Sequence, residues 1–226
     1  MINFVSDMKT SGEGHSLKQV LLLFSLTVAA LKSGQWVFAG AGYKEYFQAY
    51  AALLFLVVPH IFIRIRHYDA SILKLRFDQC LKDLSAAVRI GFPVIGSYII
   101  ARILYGKFLM GEPIDLSINT GIILAATGQL FAVALPEELF FRGLCQGLLE
   151  RRNAESWKTG VKAISEIPII LPSALFAAAH FITEPQFYRL ATFFPAMLFG
   201  YLRRKNDSIL PCILIHAAAN VAVYLF

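Results

Sequence analysis

The sequence predicts an all-α fold, a polytopic transmembrane bundle of about seven to eight helices around a polar intramembrane cavity. Three observations carry that expectation. Hydrophobic residues make up 57% of the chain and charged ones only 16%, with a mean hydropathy of +0.60. Soluble domains carry roughly 25% charge, so this chain lacks the residues to cover a water-facing surface. Its apolar residues also fall in runs of about the length a helix needs to cross a bilayer core. Its basic residues, finally, collect between those runs rather than inside them.

Taken in order, the expected spans are roughly Leu17–Phe38, Tyr46–Ile63, Leu84–Leu104, Ile118–Leu135, Ile167–Ile182, Phe187–Leu202 and Ile209–Phe226. The first begins with a short apolar run, Val20–Ala30, whose end at Val28, Ala29 and Ala30 resembles a signal-peptide cleavage site. The polar leader before it is long for that role and the run extends past Lys32 to Phe38, so a retained helix is expected. The fourth span should continue past Pro136 into Glu137–Leu149. Proline suits a first helical turn, so a kink or break there would set the carboxylates at a helix N-terminus. An eighth element, amphipathic or re-entrant, is expected within Arg151–Glu166.

Charge sets the orientation. Arg64, Arg66, Lys74, Arg76 and Lys82 follow the second span. Arg151, Arg152, Lys158 and Lys162 follow the acidic stretch, and Arg203, Arg204 and Lys205 follow the sixth span. With Lys9 and Lys18 ahead of the first span, all of these share one side if seven spans alternate. The opposite side holds Lys32, Lys44, Lys107 and the ambiguous Arg102 and Arg189. Cytoplasmic loops carry the excess of Lys and Arg, so the N-terminus is expected in the cytoplasm. This distribution also explains the net charge of +6 without nucleic-acid binding. Cys80, Cys145 and Cys212 are odd in number and lack CxxC spacing, and they read as free thiols. No repeat or polar linker divides the chain, so residues 1–226 form one membrane domain, with N-terminal helices over 1–116 and a core over 117–226.

The chemistry-bearing feature is PEELFFRG, residues 136–143. Ionisable groups at membrane depth cost at least about 2.5–3.5 kcal/mol each and generally line a pathway or a reactive cavity. Arg142 follows Glu138 by four residues, which puts them on one helical face within ion-pair reach. Glu137 is turned about 100° away and is left for another task. Two further polar sites lie in apolar runs. His180 follows Phe176 by four residues, and His216 precedes Asn220 by four with three alanines between them. Those alanines let neighbouring helices approach closely.

Each site has a plain structural reading: an ion pair anchoring helices, a core histidine bonded to a carbonyl, interhelical polar glue. Their joint occurrence in three apolar segments favours a shared cavity. There, a carboxylate and an imidazole can activate a water, and a second imidazole with a carboxamide can stabilise an oxyanion. That is equipment for amide hydrolysis. No GxSxG or HExxH motif is present. A proton-relay transporter would show inverted repeats, and none is evident. A non-catalytic immunity or partner protein stays open.

EELFFR, FAAAH and HAAAN, in that order, resemble the EExxxR, FxxxH and HxxxN motifs of the CPBP family of intramembrane proteases. That family includes the type II CAAX-prenyl endopeptidases and many prokaryotic proteins linked to bacteriocin processing or immunity. The resemblance covers Thr120 to Phe226. It implies that Glu137 is the water-activating base, assisted by His180, and that Glu138 is a supporting acid oriented by Arg142. His216 and Asn220 would form the oxyanion site. It also implies a membrane-embedded or lipid-anchored protein or peptide substrate. Two histidines and a glutamate could hold zinc, but the asparagine suits hydrogen-bond donation better than ligation. The expectation is therefore no cofactor, with zinc as the alternative. Size and basic loops point to a prokaryotic inner or plasma membrane.

Overall fold

The computed structural model describes residues 2–43, 46–105, 107–108, 121–151 and 166–223. Among them are seven helices and no strand. They are α1 (Ile2–Gly40), α2 (Phe47–Ile65), α3 (Cys80–Tyr105), α4 (Gly121–Arg151), α5 (Ile167–Thr183), α6 (Phe193–Asn206) and α7 (Leu210–Val223). Short 3-10 turns, Ala70–Leu73 and Phe187–Thr192, lead from α2 towards α3 and into α6. The first four helices are long and apolar enough to cross a membrane. The chain is an integral membrane protein. α5 and α6 have 17 and 14 residues, so at 1.5 Å per residue they fall short of a hydrocarbon core about 30 Å thick, and the described part of α7 has 14. The amphipathic element expected within Arg151–Glu166 lies almost wholly outside the described residues.

α4 is the axis of the bundle. From Ala134 to Leu149 nearly every side chain is buried, including Phe140, Phe141, Leu144 and Leu148. Phe55 of α2 meets Phe140 and Phe141 at ring-centroid distances of 5.2 and 5.6 Å, and Phe141 meets Phe176 of α5 edge-on at 5.1 Å. Aromatic pairs of this geometry add about 0.5–1.5 kcal/mol each beyond area burial. They lock the central helix to the two neighbours that frame the site.

The helix continues through Pro136, as expected, and the break that a proline could have caused is not there. Backbone angles stay right-handed helical on both sides, from Gly128 to Leu135 and from Glu138 to Gly147. Two π-wound stretches, Gln129–Ala134 and Leu139–Gln146, flank the proline. The wider winding relieves the clash that a proline ring makes with the preceding turn. Proline also leaves the carbonyl four residues upstream without its donor. That carbonyl belongs to Ala132, and the Gln48 side-chain amide of α2 donates to it at 3.1 Å. In lipid such a freed backbone group needs an internal partner. The acidic pair consequently sits in mid-helix, not at an N-terminus.

The basic loops gather at one end of the bundle. Ile209 donates to the Lys74 carbonyl at 3.0 Å, and Lys74 and Arg76 both pair with Asp207. Burial alone would raise the Asp207 carboxyl, but these two cations outweigh it and hold the group below the usual carboxylate range. A carboxyl depressed in this way contributes stability above its ordinary titration range and loses it as the pH falls through the folded value. At the same end Arg203, almost wholly buried, binds Glu150 and donates to the Ile72 carbonyl at 3.1 Å.

Gly147 makes that last contact possible. A methyl group there would stand 2.6 Å from the Ile72 carbonyl oxygen and 3.1 Å from an Arg203 nitrogen. The neighbour is backbone and cannot swing aside. Gly147→Ala is expected to destabilise the fold by about 1–3 kcal/mol, the usual cost of overpacking. A lowered thermal transition in detergent would show it, and an unchanged transition would mean that the loop can retreat at no cost.

Candidate active site

α4, α5 and α7 each carry one of the three polar motifs, and they converge. The cavity between them and the ends of α1 and α2 encloses about 530 Å3, with Glu137, Phe141, His180, His216 and Asn220 in its wall. Glu138 and Arg142 lie behind that wall, 0% and 1% exposed. The six site residues expected from the sequence therefore belong to one neighbourhood, four lining the cavity and two supporting it.

The supporting layer is a buried charge network. Arg142 faces Glu138 with Nε 3.2 Å from one carboxylate oxygen and a second nitrogen donating to the other at 3.2 Å. A further guanidinium nitrogen donates to the Ala196 carbonyl at 3.1 Å. The guanidinium plane also lies over the rings of Phe176 and Phe199, at 4.6 and 5.5 Å. Arginine suits this place because its planar fork matches a carboxylate while its face stacks on aromatics.

Glu138 has a second partner that the sequence did not indicate. His216 Nδ1 lies 2.8 Å from the same Glu138 oxygen that Arg142 binds. A carboxylate accepts, so Nδ1 carries the hydrogen and Nε2 is turned towards the cavity. There Nε2 stands 3.8 Å from a Glu137 oxygen. Phe199 stacks on the imidazole at 5.7 Å, holding its plane. The tautomer of the exposed nitrogen is thus set from behind by the carboxylate.

His180 is oriented the same way by backbone. Its Nδ1 donates to the Phe176 carbonyl at 3.0 Å, leaving Nε2 as an acceptor on the cavity side. Phe176 packs against that ring at 4.4 Å. The FxxxH spacing thus gives the histidine both its acceptor and its stacking partner. Glu137 has one oxygen that is buried and without a hydrogen-bond partner in the protein. A carboxylate with an unpaired oxygen, 3.8 Å from one imidazole and sharing a cavity with a second, is suited to hold a water.

Asn220 is differently placed from a free donor. Its amide nitrogen donates to Gln129 Oε1 at 2.8 Å, which leaves one N–H for another acceptor. Gln129 was missed in the sequence because an isolated glutamine in an apolar run carries no motif. It lies about two turns before Glu137 on a partly π-wound helix, hence on the cavity side. Gln35 was missed too. It lines the same wall and donates to the Thr183 carbonyl at 3.1 Å.

Among the described residues no three His, Cys, Asp or Glu side chains converge closely enough to hold a metal ion. Glu137, His180 and His216 share the cavity, and both imidazoles have Nδ1 engaged behind, which leaves each Nε2 for a water or another ligand.

A helical membrane protein with paired carboxylates and two oriented imidazoles around a mid-bundle cavity falls in the class of polytopic proteins built around an intramembrane polar site. Residues 119–222 match the family model described as Type II CAAX prenyl endopeptidase Rce1-like, which supports a CAAX-type protease assignment for that segment. No curated protein and no solved structure matches the chain.

Proposed function

We propose that the protein is an intramembrane endopeptidase that hydrolyses a peptide bond of a membrane-associated or hydrophobic-tailed substrate with a water activated by Glu137 and His180. The single observation that carries this reading is the unpartnered Glu137 oxygen in the wall of a cavity shared with His180 and His216. Glu137 takes a proton from the water, His180 Nε2 holds the water by accepting its second hydrogen, and the water oxygen bonds to the scissile carbonyl carbon. The carbonyl oxygen gathers negative charge, which the remaining Asn220 N–H would stabilise, joined by His216 Nε2–H when that ring is an imidazolium paired with Glu138. The carbon–nitrogen bond then breaks, and Glu137 returns its proton to the leaving amine. Glu138 and Arg142 take no part in bond making. They fix His216.

Activity in this scheme does not depend on a metal. Protein stripped by a strong chelator and reconstituted in lipid is expected to cleave a hydrophobic-tailed precursor at its original rate. Activity lost on stripping and restored by stoichiometric zinc would overturn the metal-free scheme. Inhibition by excess zinc would not, because zinc can occupy a Glu–His water site that it does not natively fill.

A further inference from the structure

The residues that line the cavity lie in the half of the bundle away from the basic loops. His180 lies three residues before the end of α5, about 5 Å along the axis at 1.5 Å per residue, and some 20 Å from its start at Ile167. Gln35 near the end of α1, Phe47 at the start of α2, and Thr183, Glu184 and Arg189 beyond His180 are also part of the lining. All five sit at the end where α1 passes to α2 and α5 to α6. The other end holds the Lys74–Asp207, Arg76–Asp207 and Arg203–Glu150 pairs and the beginning of α7.

Loops rich in Lys and Arg stay in the cytoplasm. The basic end therefore faces the cytoplasm and the cavity mouth faces away from it. We infer that the site is reached from the non-cytoplasmic side, and that its substrate is an exported polypeptide, held by a hydrophobic membrane segment, whose scissile bond lies on that side. A lipidated tail displayed in the cytoplasm would meet the basic end of the bundle, where no wall of this cavity lies. The Glu184–Arg189 pair at the mouth gives the arriving backbone a polar threshold. This inference rests on the protease reading for its substrate but not for its geometry.

Thiol labelling tests it without any turnover. Cys80→Ser leaves Cys145 and Cys212, both buried, as the only other cysteines. In that background single cysteines are introduced at Gln186 by the mouth, at Thr183 inside it, and at Lys205 on the basic end. Gln186 and Lys205 are exposed, and Thr183→Cys is close to isosteric, so the fold should tolerate all three. Bacterial spheroplasts expressing each variant are treated with a small, charged, membrane-impermeant thiol reagent before and after permeabilisation. Gln186→Cys and Thr183→Cys should label fully before permeabilisation, with no further gain afterwards. Lys205→Cys should label only afterwards. The reverse pattern would overturn the orientation, and a Thr183→Cys that labels only after permeabilisation would overturn the position of the mouth. A failed protease reading would show in the cleavage assay alone and leave this pattern unchanged.

Discussion

Replacing Glu137 by glutamine is expected to reduce peptide cleavage to background while the protein keeps its yield, thermal transition and substrate binding. The change preserves shape and removes the base. Positioned general bases contribute roughly 10²–10⁴ in rate, and Glu137 acts twice, first on the water and then on the leaving amine. One Glu137 oxygen has no hydrogen-bond partner in the protein, so the fold loses no strong bond there when the charge is removed. His180→Ala should be about as severe, since the water then loses its acceptor. Asn220→Ala should be milder, because one oxyanion donor is worth on the order of 10²–10³, and residual cleavage should be measurable. Equal losses in all three variants, accompanied by lower thermal transitions, would instead indicate a shared structural role.

Replacing Arg142 by alanine should act through stability. Arg142 is 1% exposed, pairs with the fully buried Glu138 and serves the Ala196 carbonyl. Its removal leaves a carboxylate in the protein interior with only His216 beside it. Breaking a buried pair from one side costs about 3–5 kcal/mol. The expected result is a large fall in membrane yield and in the thermal transition, with Arg142→Lys recovering part of it because the charge returns without the planar fork. Wild-type yield and transition in Arg142→Ala would mean that Glu138 is not an anion held by this arginine.

The sequence made the architecture legible because composition, apolar run length and basic-loop placement are all local signals. The Glu138–Arg142 pair was legible for the same reason, since four residues on a helix fix a shared face. Other features depend on partners far along the chain. His216 bonds to Glu138 across 78 positions, and Asn220 to Gln129 across 91. No periodicity encodes such pairs. That α4 runs on through Pro136 was legible, but the π-wound turns that carry it and the Gln48 donor from α2 that serves the Ala132 carbonyl were not. Ordinary helical spacing also places Gln129 less securely than its wider winding does, which is why the second layer of the site emerged only in three dimensions.

The most direct test of the central claim is cleavage of a hydrophobic-tailed precursor in proteoliposomes holding equal amounts of folded wild-type or Glu137→Gln protein, with products weighed by mass spectrometry in 18O-labelled water. The wild type should yield two fragments, with one labelled oxygen in the new carboxyl group, and Glu137→Gln should yield none. Cleavage by Glu137→Gln at the wild-type rate would remove Glu137 as the base. If His180→Ala then cleaved equally well, the cavity would not be a hydrolytic site.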